Sequence, residues 1–328
     1  MRRGRGVIDC SSCLTGIQGQ HGLKVLIFKV SMRLICNFAS TDRENLPMPV
    51  QSVILLVFAL CMAHPLRAHE FWLTPVTVPL FAGDNARLTL QVGEYFEGEL
   101  IGFSAPQTLD LRRYSASGNV DLRALLPQNI SAAALLVPLP APGIHMVIFN
   151  SHPSSISLSA DTFHAYLHDE GLDFIKAQRE AAGIAGTPGR ERYRRFVKTL
   201  IRVAPKSSAV SSQAIKSDIT HSTLTGQRLE ILPVNNPMAM LPGDVLGIRV
   251  VFDGKPLKGA LLKAWHRRGS QTLIIRATTA ADGSAAFDLP YAGPWMISVV
   301  HMVPVLDVKD IDWDSLWSNL SFNLVGKR

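Results

Sequence analysis

Beyond residue 61 the chain has no cysteine; its four, Cys10, Cys13, Cys36 and Cys61, all lie in the first fifth of the sequence. For the remainder this excludes disulfides and thiolate metal sites, so any metal ligand there is a nitrogen or oxygen donor. Long apolar runs are missing as well. The longest, Val53–Ala63 (VILLVFALCMA), has eleven residues, whereas a membrane-spanning helix needs about 20. No HExxH, phosphate-binding Gly-rich loop or GxSxG motif occurs, and no Ser-His-Asp arrangement emerges from the spacing, so the sequence names no catalytic group. Cys10 and Cys13 have a CxxC spacing, but no second pair follows to complete a zinc site.

What is present explains several of these absences. An apolar run of eleven residues has the length of the hydrophobic segment of a secretory signal, about 7–15 residues. Small residues stand at its end, Ala63, and five residues beyond it, Ala68. Cleavage after Ala68 leaves a chain of 260 residues beginning His69-Glu70-Phe71-Trp72; cleavage after Ala63 would put His64 first. The expectation is therefore a removed leader over 1–68, export to the periplasm and no membrane insertion afterwards. That leader holds eight of the 33 Lys and Arg but three of the 26 Asp and Glu, leaving 25 basic and 23 acidic residues. The formal charge of +7 thus resides mostly in the leader, and a nucleic-acid partner, which requires a basic face, is not expected.

From His69 onward the pattern is mainly β. Residues 87–92, 107–113, 134–139, 144–150 and 156–159 read as short strands, with Gly83-Asp84 as a turn. Residues 161–182 read as helical. Thr187-Pro188 supplies a helix start, after which Tyr193, Phe196, Val197, Leu200 and Ile201 fall on one face at helical spacing, with arginines mostly off it. The Ser- and Thr-rich stretch 207–225 reads as an exposed loop. Strands return at 246–252, 260–265, 272–278, 285–289, 295–301 and 320–325, with turns at Asp253-Gly254 and Asp282-Gly283. The fold expected is two β-sandwich domains, immunoglobulin- or transthyretin-like, over 69–160 and 227–328, joined by a helical segment over 161–226. Asp312–Trp317 reads as a short helix carrying Trp313 and Trp317 at i, i+4, either as core or as a sugar-stacking platform.

Histidine is then the informative residue. A mature N-terminal His69 carries a free α-amine beside its imidazole, and the two can chelate one metal ion. His145 and His301 sit in strands, each flanked by apolar residues. The plain alternative for each is an exposed terminal residue or a hydrogen-bonded core imidazole. His164 and His168 share a helical face, a spacing that arises often by chance.

A set of segments in order supports a family resemblance: His69-Glu70-Phe71-Trp72-Leu73, Gly83-Asp84, Phe163–Leu167, Glu170–Asp173, Gly189–Arg195, Leu229–Pro237, Asp253–Leu257, Gly293–Trp295, His301-Met302 and Asp312-Trp313. Together they resemble a bacterial exported family named as a domain of unknown function and linked to periplasmic nickel/cobalt uptake components. The resemblance implies a β-rich periplasmic protein tied to nickel or cobalt uptake, and so a membrane uptake system as partner. His69, His145 and His301 lie in or near its segments; His164 and His168 do not belong to its pattern. The expected site joins His69, His145 and His301 around one transition-metal ion, nickel or cobalt first, copper or zinc as alternatives. Glu70 or Glu94 could add an oxygen. Two other readings compete: a histidine-brace copper protein or enzyme, and a non-catalytic carbohydrate-binding or adhesion module.

Overall fold

The computed structural model describes residues 70–76, 78–206, 212–306 and 308–326. The leader, its two candidate cleavage points and His69 lie outside the described residues. Among those described, the expected β stretches form strands, and further strands form where none was expected, at Glu70–Pro75, Glu97–Ile101 and Leu229–Pro233. Gly83 and Gly283 adopt positive φ (87° and 75°) beside the aspartate turns, a conformation that costs glycine little. At Asp84 the carboxylate accepts from the Phe81 N–H at 2.8 Å, closing the turn.

Three sheets form among the described residues. One contains β1 (Glu70–Pro75), β3 (Asp84–Glu94), β4 (Glu97–Ile101) and β7 (Leu135–Leu139). A second contains β11 (Leu229–Pro233), β12 (Val245–Phe252), β13 (Lys255–Pro256) and β16 (Ser284–Asp288). Between them runs a ten-stranded sheet. Its main path takes β15 (Gln271–Thr278), β14 (Leu261–Arg268), β17 (Gly293–Pro304), β18 (Trp313–Leu324), β10 (Gly189–Ala204), β8 (Gly143–Ser151), β5 (Thr108–Ser115) and β6 (Gly118–Asp121) in that order. Two short strands, β2 (Leu80–Phe81) and β9 (Ser154–Leu158), attach to β10.

Alternation along each strand assigns the two faces of the large sheet. Ile144, Met146 and Ile148 of β8, with Phe196 and Leu200 of β10 and Leu316 and Leu320 of β18, pack with Leu229, Ile231, Ile248 and Val250 of the second sheet. Val147, Phe149, Val197 and Ile201 point the other way, onto Phe71, Leu73, Leu88, Leu90 and Val137 of the first sheet. Helices α1 (Ala160–Asp169) and α2 (Asp173–Ala181) cover a neighbouring part of that same face, burying Phe163, Leu167 and Ile175 against Val300, Met302, Trp313 and Trp317.

Three expectations are corrected here. The helix expected at 190–202 is the strand β10, parallel to β18 and antiparallel to β8 and β9. A strand buried on both faces need not alternate, so its apolar residues at 193, 196, 197, 200 and 201 fit a helical spacing by coincidence. Its arginines form a ladder: the parallel register brings Arg192 opposite Asp314, bonded at 2.6 and 2.9 Å, and Arg190 pairs with Asp312 at 2.5 and 2.9 Å. The expected tail helix is likewise a strand. In β18 a spacing of four places Trp313 and Trp317 on one face, where both are buried and Trp317 stacks on Tyr166 at 5.6 Å. They are core, and a sugar platform at these two rings is excluded. The 207–225 stretch also differs from a plain exposed loop. It carries α3 (Ser212–Ser217) and buries Thr220 and His221, and Asp218 accepts from the Ile144 N–H at 2.7 Å.

The start of β10 is tightly packed. At Gly189 an added Cβ would lie inside van der Waals distance of the Phe163 ring, itself fully buried. Gly189→Ala should destabilise by about 1–3 kcal/mol through overpacking, while Gly186→Ala, which meets no atom within 4 Å, should be near neutral. Thermal melts of the two variants check this contrast; equal melting temperatures would contradict the packing.

Candidate functional site: a buried ionisable cluster at the start of β1

The unusual feature of the fold is the number of charged groups buried where β1, the end of α1 and the central sheet meet. Glu70 opens β1 and is 3% exposed. Its Oε1 accepts from the Ser298 hydroxyl at 2.7 Å, and that hydroxyl accepts from Trp265 Nε1 at 2.8 Å. β1 is pinned to the sheet beneath it by Asn319 Nδ2, which donates to the Phe71 carbonyl at 2.6 Å, and by the Ser321 hydroxyl, which donates to the Leu73 carbonyl. Lys263, in register with Ser298 on the neighbouring strand, pairs with Glu170 at 2.7 Å. Glu170 is the residue that ends α1.

Arg195 continues the cluster, with its guanidinium over the rings of Phe71 (4.8 Å), Tyr193 (5.3 Å) and Trp317 (5.7 Å). Beyond it Glu191 is buried beside Tyr166 and Ser315. Among the described residues Glu70 Oε2 is buried without a hydrogen-bond partner, while Glu191 and the hydroxyls of Tyr166 and Ser315 are buried against one another.

Burial disfavours the charged form of each acid. It raises the Glu70 carboxyl above its usual range, against the pull of Lys263. It pushes Glu170 up to about 7, with Lys263 opposing and the charge of Glu70 adding to the rise. Glu191 is pushed up to about 7 chiefly by burial, and Tyr166 lies well above the usual phenol range from burial and the nearby carboxylates. Perturbed groups clustered in this way mark either a functional site or a structural ion network.

The histidines are arranged differently from the expected site. His145 on β8 is paired with Ile201 and faces the first sheet; its Nε2 lies 2.8 Å from the Ala141 carbonyl, and Nδ1 has no partner among the described residues. Burial lowers its pKa. His301 on β17 is paired with Leu316 and so faces the opposite side of the large sheet, in contact with Phe252 at 4.6 Å. Burial lowers it to about 4, with Asp253 opposing. Strands β8 and β17 are separated by β10 and β18, which at about 4.8 Å per strand is roughly 14 Å. Two imidazoles on opposite faces at that spacing cannot share one ion, whose bonds to nitrogen are about 2 Å long. The structure does not bring His145 and His301 together, and His69, the third residue of the expected site, lies outside the described residues.

His168 is exposed and pairs with Asp173 at 3.1 Å. Glu94 is half-buried near the β3–β4 hairpin. Among the described residues no three His, Cys, Asp or Glu converge as a metal-ligand group, and no helix is long and apolar enough to cross a membrane. The buried cluster has no signature in the sequence, because Lys263 and Glu170 are 93 positions apart and only the tertiary fold brings them together.

Comparison with known proteins returns a family model described as a domain of unknown function, DUF4198, matched over residues 66–303. No curated protein matches. Among solved structures, a tetra-tandem repeat from the extending region of a large adhesion protein is 9% identical, with 79% of this chain and 50% of that one covered and a TM-score of 0.20. A Salmonella alpha-2-macroglobulin mutant is 10% identical over 79% of this chain and 25% of that one, with a TM-score of 0.19. The Bacillus anthracis TIE protein is 12% identical over 82% and 43%, also with a TM-score of 0.19. This chain spans half or less of each of those structures, and scores so low carry no argument.

Proposed function

The chain belongs to the DUF4198 family, a domain of unknown function, and from that premise we propose that it is an exported, non-catalytic carrier of a transition-metal ion, nickel or cobalt, held at a mature N-terminus formed by His69. In this reading it delivers the ion to a membrane uptake system from the periplasm. Residues 69–160 and 227–328 are then two immunoglobulin- or transthyretin-like sandwich halves that share the ten-stranded sheet, with β10 of the 161–226 segment hydrogen-bonded between them. The observation that carries the reading is the surroundings of Glu70. This residue is joined directly to His69 and is buried, with one carboxylate oxygen held by Ser298 and the other without a hydrogen-bond partner among the described residues. A cation there would satisfy that oxygen and favour the ionised carboxylate. The amine and imidazole of His69 would supply nitrogen donors and Glu70 an oxygen; His145 and His301 take no part.

The test is calorimetric titration of Ni, Co and Cu into the form beginning at His69, a form with one extra residue ahead of it, and the His145→Ala and His301→Ala variants. The mature form should bind tightly and the extended form at least about tenfold more weakly, since blocking the amine destroys the chelate. The two alanine variants should match the mature form. Affinity should fall as pH drops through the imidazole range near 6.5. Equal affinity of mature and extended forms would refute the site. Reductant-dependent turnover of a polysaccharide by the copper form would favour the histidine-brace alternative instead.

A further inference from the structure

A second feature lies at the far edge of the large sheet and owes nothing to the metal reading. The loop between β16 and β17 folds back so that Tyr291 stacks on His266 with centroids 5.4 Å apart and planes inclined by 28°. His266 in turn stacks on Trp295 at 4.7 Å and 27°. The three rings are held by hydrogen bonds. Trp295 Nε1 donates to the Tyr291 carbonyl at 2.8 Å, and His266 Nδ1 lies 2.9 Å from the Pro294 carbonyl. His266 and Trp295 are buried, whereas Tyr291 is 44% exposed. The stack is therefore a rigid column with a buried base and an open outer ring.

Beside that ring is an open cleft of about 340 Å³, lined by His266, Arg267, Arg268, Tyr291, Ala292 and Pro294. This volume is at the lower end for small-ligand sites, about 300–1,000 Å³. Among the described residues no acidic side chain lines it. Arg267 is held by Glu97 at 2.8 Å, while Arg268 is exposed and no carboxylate pairs with it among the described residues. The cleft thus offers one pre-ordered aromatic face and one free guanidinium.

We propose that this cleft binds an acidic polysaccharide, taking a uronate ring on Tyr291 with its carboxylate against Arg268. The face of a phenol ring is the negative end of its quadrupole and attracts the positively polarised axial C–H groups of a pyranose. A guanidinium presents a planar fork that matches a carboxylate bidentately. Because His266 and Trp295 already fix the Tyr291 ring, little side-chain entropy is lost on binding. A nucleic acid fits less well. It would need several phosphate contacts on a basic stripe, and the chain beyond residue 68 has 25 basic against 23 acidic residues, with one unpaired arginine in this cleft. The platform is distinct from Trp313 and Trp317, which are core.

The experiment is titration of the purified chain with polygalacturonate, neutral dextran and a single-stranded oligonucleotide, followed by tryptophan fluorescence and calorimetry. Polygalacturonate should bind and dextran should bind at least tenfold more weakly. Tyr291→Ala and Arg268→Ala should each weaken polygalacturonate binding about tenfold or more, while Tyr291→Phe, which keeps the ring, should bind like the parent. Both positions are exposed, and melting temperatures near that of the parent will show the variants folded. Unchanged binding by Tyr291→Ala, equal affinity for dextran, or tighter binding of the oligonucleotide would overturn the proposal. Chelator treatment should leave polygalacturonate binding unchanged, which separates this site from the metal reading.

Discussion

Replacing Lys198 by methionine should cost about 3–5 kcal/mol of folding stability, the penalty for breaking a fully buried ion pair from one side. Lys198 and Glu230 are each 1% exposed and meet at 2.5 Å. Lys198 sits in the middle of β10 on the face turned toward the second sheet, and Glu230 lies on β11 of that sheet. Glu230 also accepts from the N–H of Thr225 at 2.7 Å and from its hydroxyl at 2.8 Å, so its charge is supported by fixed donors as well as by the ammonium. Burial lowers the Lys198 pKa, and Glu230 opposes that shift. Removing the ammonium leaves a carboxylate in an apolar core. The double variant Lys198→Met, Glu230→Gln should recover much of the loss, because neither charge then remains buried. Urea denaturation of the parent, the single and the double variants measures this. A single variant within 1 kcal/mol of the parent would show that the pair is solvated in solution.

The second large effect concerns pH. Glu191 is held up at about 7 by burial, against an ordinary carboxylate value of 4.5. A carboxyl raised in the folded state stabilises below its unfolded pKa, and that stabilisation is lost as pH rises through the folded value. The loss therefore develops between about pH 4.5 and 7. A shift of this size corresponds to roughly 3 kcal/mol. His145, His221 and His301 titrate in the opposite sense over part of that window, since burial depresses each and the folded state gains stability as they lose their protons. Comparison with Glu191→Gln cancels their contribution. From pH 4.5 to 8 the variant should gain about 3 kcal/mol relative to the parent, read from denaturation at a series of pH values. A difference independent of pH would mean that Glu191 is ionised throughout, its charge balanced by Arg195.

The polar cluster was illegible in the sequence for a reason that Glu70 makes plain. Nothing in His69-Glu70-Phe71-Trp72 distinguishes a buried glutamate from an exposed one. Its partner Ser298 is 228 positions away, and Lys263 meets Glu170 only because β14 and α1 converge on the same face. The stacked Tyr291, His266 and Trp295 were hidden similarly, since the ring of His266 comes from β14 and the others from a loop and strand that follow β16. That His301 and His145 are imidazoles in apolar strands is legible in the sequence; that odd-numbered residues of β8 and of β17 face opposite ways depends on sheet pairing.

The sequence by itself determined the mainly β character, the positions of most strands and their aspartate-glycine turns, and the two helices α1 and α2. These depend on local alternation, local turn chemistry and local helical periodicity; the structure adds the cap, Ser159, whose side chain accepts from the Thr162 N–H. Tertiary structure decided what local pattern leaves open. Gly189–Ala204 is a strand because partners on both sides and apolar layers above and below make extended backbone the better-satisfied state, whatever spacing its apolar residues happen to have. Trp313 and Trp317 share a face in a strand as they would in a helix, so only pairing with β10 and β17 could settle the backbone. Which charged side chains are buried, and which histidines can meet, depends on the order of strands in a ten-stranded sheet, and strand order is fixed by long-range packing.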